Sequence, residues 1–304
     1  MTVAAKELTP ARAWLLASRP ATLPAAAVPV LVGASAAVSE GASFRPLVFL
    51  ATLVCSLLIQ IGTNFANDYS DFHRGADTDA RLGPMRVTQS GLISPDGVKR
   101  GIIVAFGLAV LLGAILAWIG GWPIVAIGVL SILAGIAYTG GPFPFGYHGL
   151  GDVFVFVFFG IVAVSGTAYL QSGTWSVFPL ILSVPIGLLA TNILVVNNLR
   201  DLETDRAAGK RTLAVRLGDR NTRIQYALFA DLAYVVPLVI ALTDQSRHWL
   251  MLPWLTLPLA IGLVRSVLGE ATGRDLNAIL KRSGQLLLFF GLLLALGAFL
   301  GRTR

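Results

Sequence analysis

Two stretches carry oxygen ligands at spacings that suit metal and anion chemistry: Asn64-Phe65-Ala66-Asn67-Asp68-Tyr69-Ser70-Asp71 and Asn197-Asn198-Leu199-Arg200-Asp201-Leu202-Glu203-Thr204-Asp205. At 100° per residue, Asn64, Asp68 and Asp71 fall within about 60° of one another on a helix, and Asn197, Asp201 and Asp205 within about 80°. Each set therefore projects carboxylate and amide oxygens from one face, a turn apart. Hard donors of this kind suit Mg2+, which takes a few carboxylates and completes its shell with phosphate oxygens and water. Zinc ligation is disfavoured, because His73, His148 and His248 are scattered and the lone Cys55 sits inside an apolar run as a small buried hydrophobe. Helix-end carboxylates also serve as caps or solvated charges. Two sets with the same Asn-x-x-x-Asp spacing favour the ligand reading.

Cations stand beside both clusters. Arg74, Arg81 and Arg86 follow the first, and Arg206, Lys210 and Arg211 follow the second. A diphosphate bridged by Mg2+ needs metal ligands together with Arg or Lys donors for its outer oxygens. The combination reads as a diphosphate site at the mouth of an apolar bundle, suited to an amphiphile with a diphosphate head and a hydrocarbon tail. Arg216, Arg220 and Arg223 read instead as anchors at a membrane surface.

The elements that position these residues belong in lipid. The 304-residue chain is 55% hydrophobic and only 13% charged, far from the soluble balance. Apolar windows of spanning length run near 21–39, 46–66, 101–120, 122–139, 150–170, 176–196, 224–242, 249–268 and 284–300. The expectation is an all-α, polytopic membrane protein: one domain over 1–304, a bundle of about nine transmembrane helices around a central cavity. Lys6, Arg12 and Arg19 spread over a long polar lead, which is not the pattern of a cleavable signal. With the N-terminus inside, 19 of the 23 Lys and Arg fall on that side and 4 on the other, as the positive-inside rule requires. The net charge of +7 is explained that way, without nucleic acid as a partner. Both acidic clusters then lie on the cytoplasmic side and the C-terminus on the opposite one, in a multi-pass protein of the cell membrane. Carboxylates at a membrane boundary are costly unless they bind something.

Asn-Asp-Tyr-Ser-Asp-Phe-His-Arg-Gly-Ala-Asp (67–77), with Arg-Leu-Gly-Pro-Met-Arg (81–86) and Gln-Ser-Gly (89–91), resembles the first signature of UbiA-type intramembrane prenyltransferases. Asn-Asn-Leu-Arg-Asp-Leu-Glu-Thr-Asp-Arg-Ala-Ala-Gly-Lys-Arg-Thr (197–212) resembles their second. Within that superfamily, Arg-Pro-Ala-Thr-Leu-Pro (19–24), the Asn-Asp-Tyr-x-Asp form of the first motif and Tyr-Thr-Gly-Gly-Pro-Phe-Pro-Phe-Gly-Tyr-His-Gly-Leu-Gly-Asp (138–152) resemble the 1,4-dihydroxy-2-naphthoate prenyltransferase branch. The resemblance covers essentially the whole chain. Two departures stand out. Gly75 occupies a position where many members carry a third acid, with Asp77 and Asp79 just beyond it. No Lys or Arg occurs from 101 to 199, whereas the 4-hydroxybenzoate branch usually carries a Lys-Arg pair there.

The resemblance implies transfer of a polyprenyl group from its diphosphate to 1,4-dihydroxy-2-naphthoate, with loss of CO2 and diphosphate. It implies Mg2+ held by Asp68, Asp71, Asp201 and Asp205 as the catalytic carboxylates, with Asn64 and Asn197 extending the shell. Arg74, Lys210 and Arg211, with Arg81 and Arg86, would contact the diphosphate. Arg19 would hold the aromatic carboxylate or serve only as an interface anchor. Tyr138 and Tyr147 flank a Gly/Pro-rich bend, where their π faces would shield a carbocation or simply sit at the interface. Asp152 reads equally as an outer-shell group or a helix N-cap, and Asp231 as a functional carboxyl or a link between helices. Phe154, Phe156, Phe158 and Phe159 would line the tail cavity or pack generically. Another aromatic acceptor, of 4-hydroxybenzoate or homogentisate type, is the nearest alternative. A transporter predicts carboxylates near mid-bilayer, whereas these clusters lie at the ends of spans. A phosphatidyl-alcohol transferase would show one tight Asp-rich motif, which is absent from the sequence.

Overall fold

Proline sets where many of the helices begin. Its ring fixes φ, and its missing N–H costs nothing in a first turn. It stands there in α1 (Pro10–Ala17), α2 (Pro24–Ser39), α3 (Pro46–His73), α4 (Pro95–Gly120) and α5 (Trp122–Ala137). The computed structural model describes residues 9–75 and 82–301, and these are predominantly helical, without a strand. Arg81, Asp77 and Asp79 lie outside the described residues. Past α5 run α6 (Gly151–Val155) and α7 (Ala163–Ser172), joined through a π-helical stretch Phe156–Val162. Then come α8 (Val177–Arg200), the short α9 (Leu202–Ala207) and α10 (Leu213–Thr243). A 3-10 run Gln245–Thr256 leads into α11 (Leu257–Leu268), and α12 (Leu276–Leu300) closes the bundle.

Among the described residues seven helical segments are long and apolar enough to cross a bilayer, and the bent pair α1–α2 makes an eighth when counted as one span. The pair bends by 53° around the 3-10 turn Pro20–Thr22. The remaining window of the expected nine is α5, whose 16 residues reach about 24 Å, short of a hydrocarbon core of about 30 Å.

The helices outrun their apolar windows, and they do so at one end. α3 continues to His73, α4 starts at Pro95, α8 reaches Arg200, α10 starts at Leu213 and α12 at Leu276. The contacts of Arg200 with Asn277, of Lys210 with Asp71 and of Arg216 with His148, and the shared cluster of Val98 and Phe65, gather all five extensions at the same mouth of the bundle. Hydropathy sees only the part of a helix that lipid surrounds. The extensions carry the charged residues.

α8 runs through the middle, with 78% of its apolar window buried. It packs against α2, α10 and α12 through Val28, Leu189, Tyr226 and Phe290. Two buried hydrogen bonds add direction to that packing: Asn192 Nδ2 donates to Tyr226 O at 2.9 Å, and the Tyr226 and Ser283 hydroxyls meet at 2.9 Å. Small residues let backbones approach. A Cβ on Gly160 would stand 2.8 Å from Gly187 Cα and 2.9 Å from Ser183 O, so the π-helical stretch seats directly on α8. The outer surface is apolar, with Trp118, Leu47 and Trp122 strongly exposed, as lipid contact requires. Gly160→Val should therefore unseat the π-helical stretch from α8 at a cost of about 1–3 kcal/mol, the usual range for overpacking. The expected result is a lower unfolding temperature for the purified protein.

Candidate active site

α3 delivers the first cluster. Asn64, Asn67, Asp68 and Asp71 are all buried on its last turns. Asn64 Nδ2 donates to Ser18 O at 3.0 Å and to Thr22 Oγ1 at 3.3 Å, which ties α3 to the α1–α2 bend. Asn67 Oδ1 accepts from Thr139 Oγ1 at 2.9 Å, which ties it to the end of α5. The 86–93 turn folds back over this end of α3, anchored by Val87 and Ile93 against Ala13, Ala17 and Phe65. That brings the Val87 N–H to 3.2 Å from Asp68 Oδ2, and Arg86 Nη2 to 2.7 Å from Asp71 Oδ2.

α8 and α9 deliver the second cluster, with one difference from the expected single face. The helix breaks at Asp201 (φ −94°, ψ 8°), so Asp205 stands on α9 and Asn197 on α8. The break is shallow, because the Asp205 N–H still bonds Asp201 O at 2.7 Å. Asp205 turns toward α3. Lys210 Nζ lies 3.6 Å from Asp205 Oδ1 and 4.0 Å from Asp71 Oδ1, so a single ammonium joins the two clusters. Burial first pushes the Asp205 carboxyl up to about 6; Lys210 opposes the rise, while Asp201 and Asp71 add to it. The acids repel one another and call for more positive charge than the side chains supply.

The 138–150 bend closes over this point. Gly146 N bonds Tyr138 O at 2.9 Å, Tyr147 N bonds Pro144 O at 2.9 Å, and Tyr147 O accepts from Arg211 N at 2.8 Å. Tyr147 is thereby aimed inward. Its hydroxyl donates to Asp71 Oδ1 at 2.5 Å, and Lys210 Nζ sits 4.4 Å from its ring centroid. The exposed Arg74 reaches the same bend, donating to Gly141 O, with its guanidinium 5.8 Å from the Tyr147 ring. Arg211 is exposed at the rim.

Arg200 escaped the sequence reading, where it was only a letter inside the second motif. It is 97% buried, with side-chain relative exposure of 1% against 13% for its partner Asp201. It donates to Asp201 at 2.8 and 2.5 Å, to Asn197 Oδ1 at 2.9 Å and to Asn277 Oδ1 at 3.0 Å. Asn277 in turn donates to Leu82 O at 2.9 Å, and a Cβ on Gly83 would meet Arg200 Nη2 at 2.6 Å. One guanidinium thus fastens α8, α12 and the 82–83 segment. Asn277 carried no motif, and only the fold reveals it.

Behind the carboxylates an apolar cavity of about 1090 Å3, its open mouth included, runs into the bundle. Gln60, Thr63 and Tyr138 mark its polar end, and Phe154, Phe158 and Phe159 line its wall. Phe156 packs on Gly187 instead. Burial first, then the Asp152, Asp205 and Asp71 carboxylates, hold the Tyr138 phenol well above its ordinary range, with Arg19 opposing. Arg19 is within electrostatic reach of both Asp68 and Tyr138. It is also the one non-glycine residue with positive φ (51°) among the described residues, and such strain persists where surrounding structure imposes it. Asp152 lies in the first turn of α6, while Leu150 takes the N-cap place, so the capping reading falls. Asp231 stands exposed on α10, beside Tyr234 and Arg265 in a pocket against α11 remote from both clusters.

A profile of the UbiA prenyltransferase family matches residues 26–293. The chain is 38% identical over 303 residues to the 1,4-dihydroxy-2-naphthoate octaprenyltransferase of Escherichia coli (strain K12), covering 98% of each chain. It is 39% identical over 282 residues to the protein of that name from Mycobacterium tuberculosis (strain ATCC 25618 / H37Rv), covering 93% of this chain and 95% of the relative. Among solved structures, a UbiA homolog from Archaeoglobus fulgidus bound to GPP and Mg2+ is similar with a TM-score of 0.65 at 16% identity, covering 94% of this chain and 99% of that one. At that identity the likeness carries the fold.

Arg200→Ala should leave the nearly buried Asp201 without its partner, a change that for a buried pair typically costs about 3–5 kcal/mol. A matching fall in thermal stability is expected in addition to loss of turnover. Lys210→Ala, whose partner carboxylates repel each other, should lose turnover with a much smaller thermal shift.

Proposed function

The chain belongs to the UbiA prenyltransferase family, and from that premise we propose how its site carries out the reaction that its relatives' names describe. It is a multi-pass membrane enzyme that transfers a polyprenyl group from polyprenyl diphosphate to 1,4-dihydroxy-2-naphthoate, releasing diphosphate and CO2 and giving demethylmenaquinol in menaquinone biosynthesis. The observation that carries the site assignment is the meeting of Asp71 and Asp205 across Lys210 at the polar end of an apolar cavity.

The donor set suits Mg2+. Asp68, Asp71, Asp201 and Asp205 would hold it, helped by Asn64 and Asn197, and every donor is an oxygen. Among the described residues no three acidic, His or Cys side chains stand close enough together to hold an ion by themselves. Lys210 and Arg86 hold Asp71, and Arg200 holds Asp201. The upward push on Asp205 is a further sign that the acids accept another cation. When bound, the ion neutralises the diphosphate and makes it a better leaving group.

The chain's own residues do the rest. Lys210, Arg86, Arg74 and Arg211 donate to the outer phosphate oxygens, and Tyr147 keeps Asp71 oriented. The cavity takes the prenyl tail and excludes water from the allylic carbon. Arg19 holds the acceptor carboxylate beside Tyr138, whose ring flanks the developing allylic cation. The positive-inside count supports a cytoplasmic orientation for this mouth.

The purified enzyme with Mg2+, a polyprenyl diphosphate and dihydroxynaphthoate is expected to yield a prenylated naphthoquinol and CO2, and to stop when the metal is chelated. Turnover of 4-hydroxybenzoate alone would replace the acceptor assignment. Full activity in Asp68→Ala or Asp201→Ala would remove the metal assignment. In the metal-free protein a proton competes for Asp205 up to about pH 6. Mg2+ affinity by calorimetry should therefore weaken as pH falls through that value and strengthen above it.

A further inference from the structure

Asp152 and Gln225 have no part in the steps above, although Asp152 is the one buried carboxylate outside the two clusters among the described residues. Its Oδ2 accepts from Gln225 Nε2 at 2.7 Å, while its Oδ1 accepts no hydrogen bond from any other described residue. A buried carboxylate oxygen left without a donor calls for an explanation. On the cavity side stands Tyr138. Its phenol oxygen rests against the first turn of α6, where a Cβ on Gly151 would meet it at 3.1 Å. Tyr138 lines the cavity, and among the described residues no hydrogen bond occupies its hydroxyl. Asp152 is also the carboxylate that most opposes its ionisation. From α8 the same spot meets Leu194, and α10 contributes Gln225. Tyr138 is thus the titratable group next to Asp152 on the cavity side, with no hydrogen bond between the two in this structure.

We propose that Tyr138 and Asp152 form a proton relay for the aromatic acceptor, with Gln225 fixing the carboxylate so that Oδ1 stays available. The relay rests on the dihydroxynaphthoate reading, because it needs a ring hydroxyl beside the carbon that attacks. As that carbon bonds to the allylic carbon, the C–O bond to diphosphate breaks and its electron pair leaves with diphosphate. The neighbouring hydroxyl becomes a ketone. Its proton passes to the Tyr138 oxygen as the Tyr138 proton passes to Asp152 Oδ1. Loss of CO2 from the resulting β-keto carboxylate returns an electron pair to that oxygen, and the proton comes back along the same two groups. Asp152 ends as it began, and only CO2 and diphosphate depart.

The test compares Asp152→Asn, Asp152→Glu, Tyr138→Phe and the double variant Tyr138→Phe/Asp152→Asn in the full-length enzyme. Asp152→Asn and Tyr138→Phe are each expected to lower kcat by about 100-fold, the scale of one proton-transfer group, with KM for the prenyl diphosphate unchanged. The double variant is expected to be no worse than either single one, as for groups acting as a unit. Asp152→Glu should restore part of the rate. At high pH, where the naphthol ionises by itself, Asp152→Asn should regain rate relative to wild type. Normal kcat in Asp152→Asn, losses that multiply in the double variant, or a loss that high pH does not relieve would each overturn the relay. If Asp152→Asn does not fold, Tyr138→Phe, which keeps the ring, decides by its own kcat and pH profile. Wild type inactive on dihydroxynaphthoate overturns the acceptor reading and the relay with it, whereas active wild type with unaffected variants sinks the relay alone.

Discussion

Repulsion among carboxylates gathered at one mouth of a lipid-embedded bundle is the constraint on which this structure depends. Asp68 and Asp71 are buried, and Asp201 and Asp205 are nearly so. Buried charges must be paired or bind ions. The protein meets part of the demand with three cations, each held differently. Arg86 comes in on a turn anchored by Val87, Lys210 on the loop after α9, and Arg200 from within α8. The part left unmet is what makes the mouth a site for a cation and an anion together.

Around that demand the fold is asymmetric. The helices overrun their apolar windows at one face, and the overruns of α3, α8 and α12 bring Asp68, Asp71, Arg200 and Asn277 to the site or to its support. Arg200 shows how support and site merge. The guanidinium that satisfies Asp201 also carries the load between α8, α12 and the 82–83 segment. The tail cavity begins one turn deeper, at Gln60 and Thr63. The boundary between head and tail of an amphiphile is therefore written along a single helix, α3.

The all-helical fold, eight of the nine expected spans with the bent pair counted as one, and both clusters were legible because lipid imposes long apolar windows and makes carboxylates conspicuous. What hydropathy missed, it missed for physical reasons. It placed the end of α3 at 66 and the start of α10 at 224, since a helix leaving the bilayer stays a helix while its sequence turns polar. Helical phase placed Asn64, Asp68 and Asp71 together correctly, but it carried the second set across a break that only the backbone at Asp201 shows. Asn277 and Gln225 are single amides without a pattern, and they matter only through what the fold sets opposite them. Tyr147 was visible as an aromatic near the site. Its hydroxyl bond to Asp71 depends on the 3-10 turn at Phe145–His148, which no periodicity announces.

The claim at the centre is that the two clusters act as one site for a cation-bound diphosphate. The direct measurement is electron paramagnetic resonance of Mn2+ added to the purified protein with a prenyl thiodiphosphate, with phosphorus couplings resolved. Bound Mn2+ coupled to the diphosphate is expected in the wild type, and it should be lost in Asp71→Asn and equally in Asp205→Asn. Mn2+ that still binds and still couples to phosphorus after either cluster is neutralised would contradict the account.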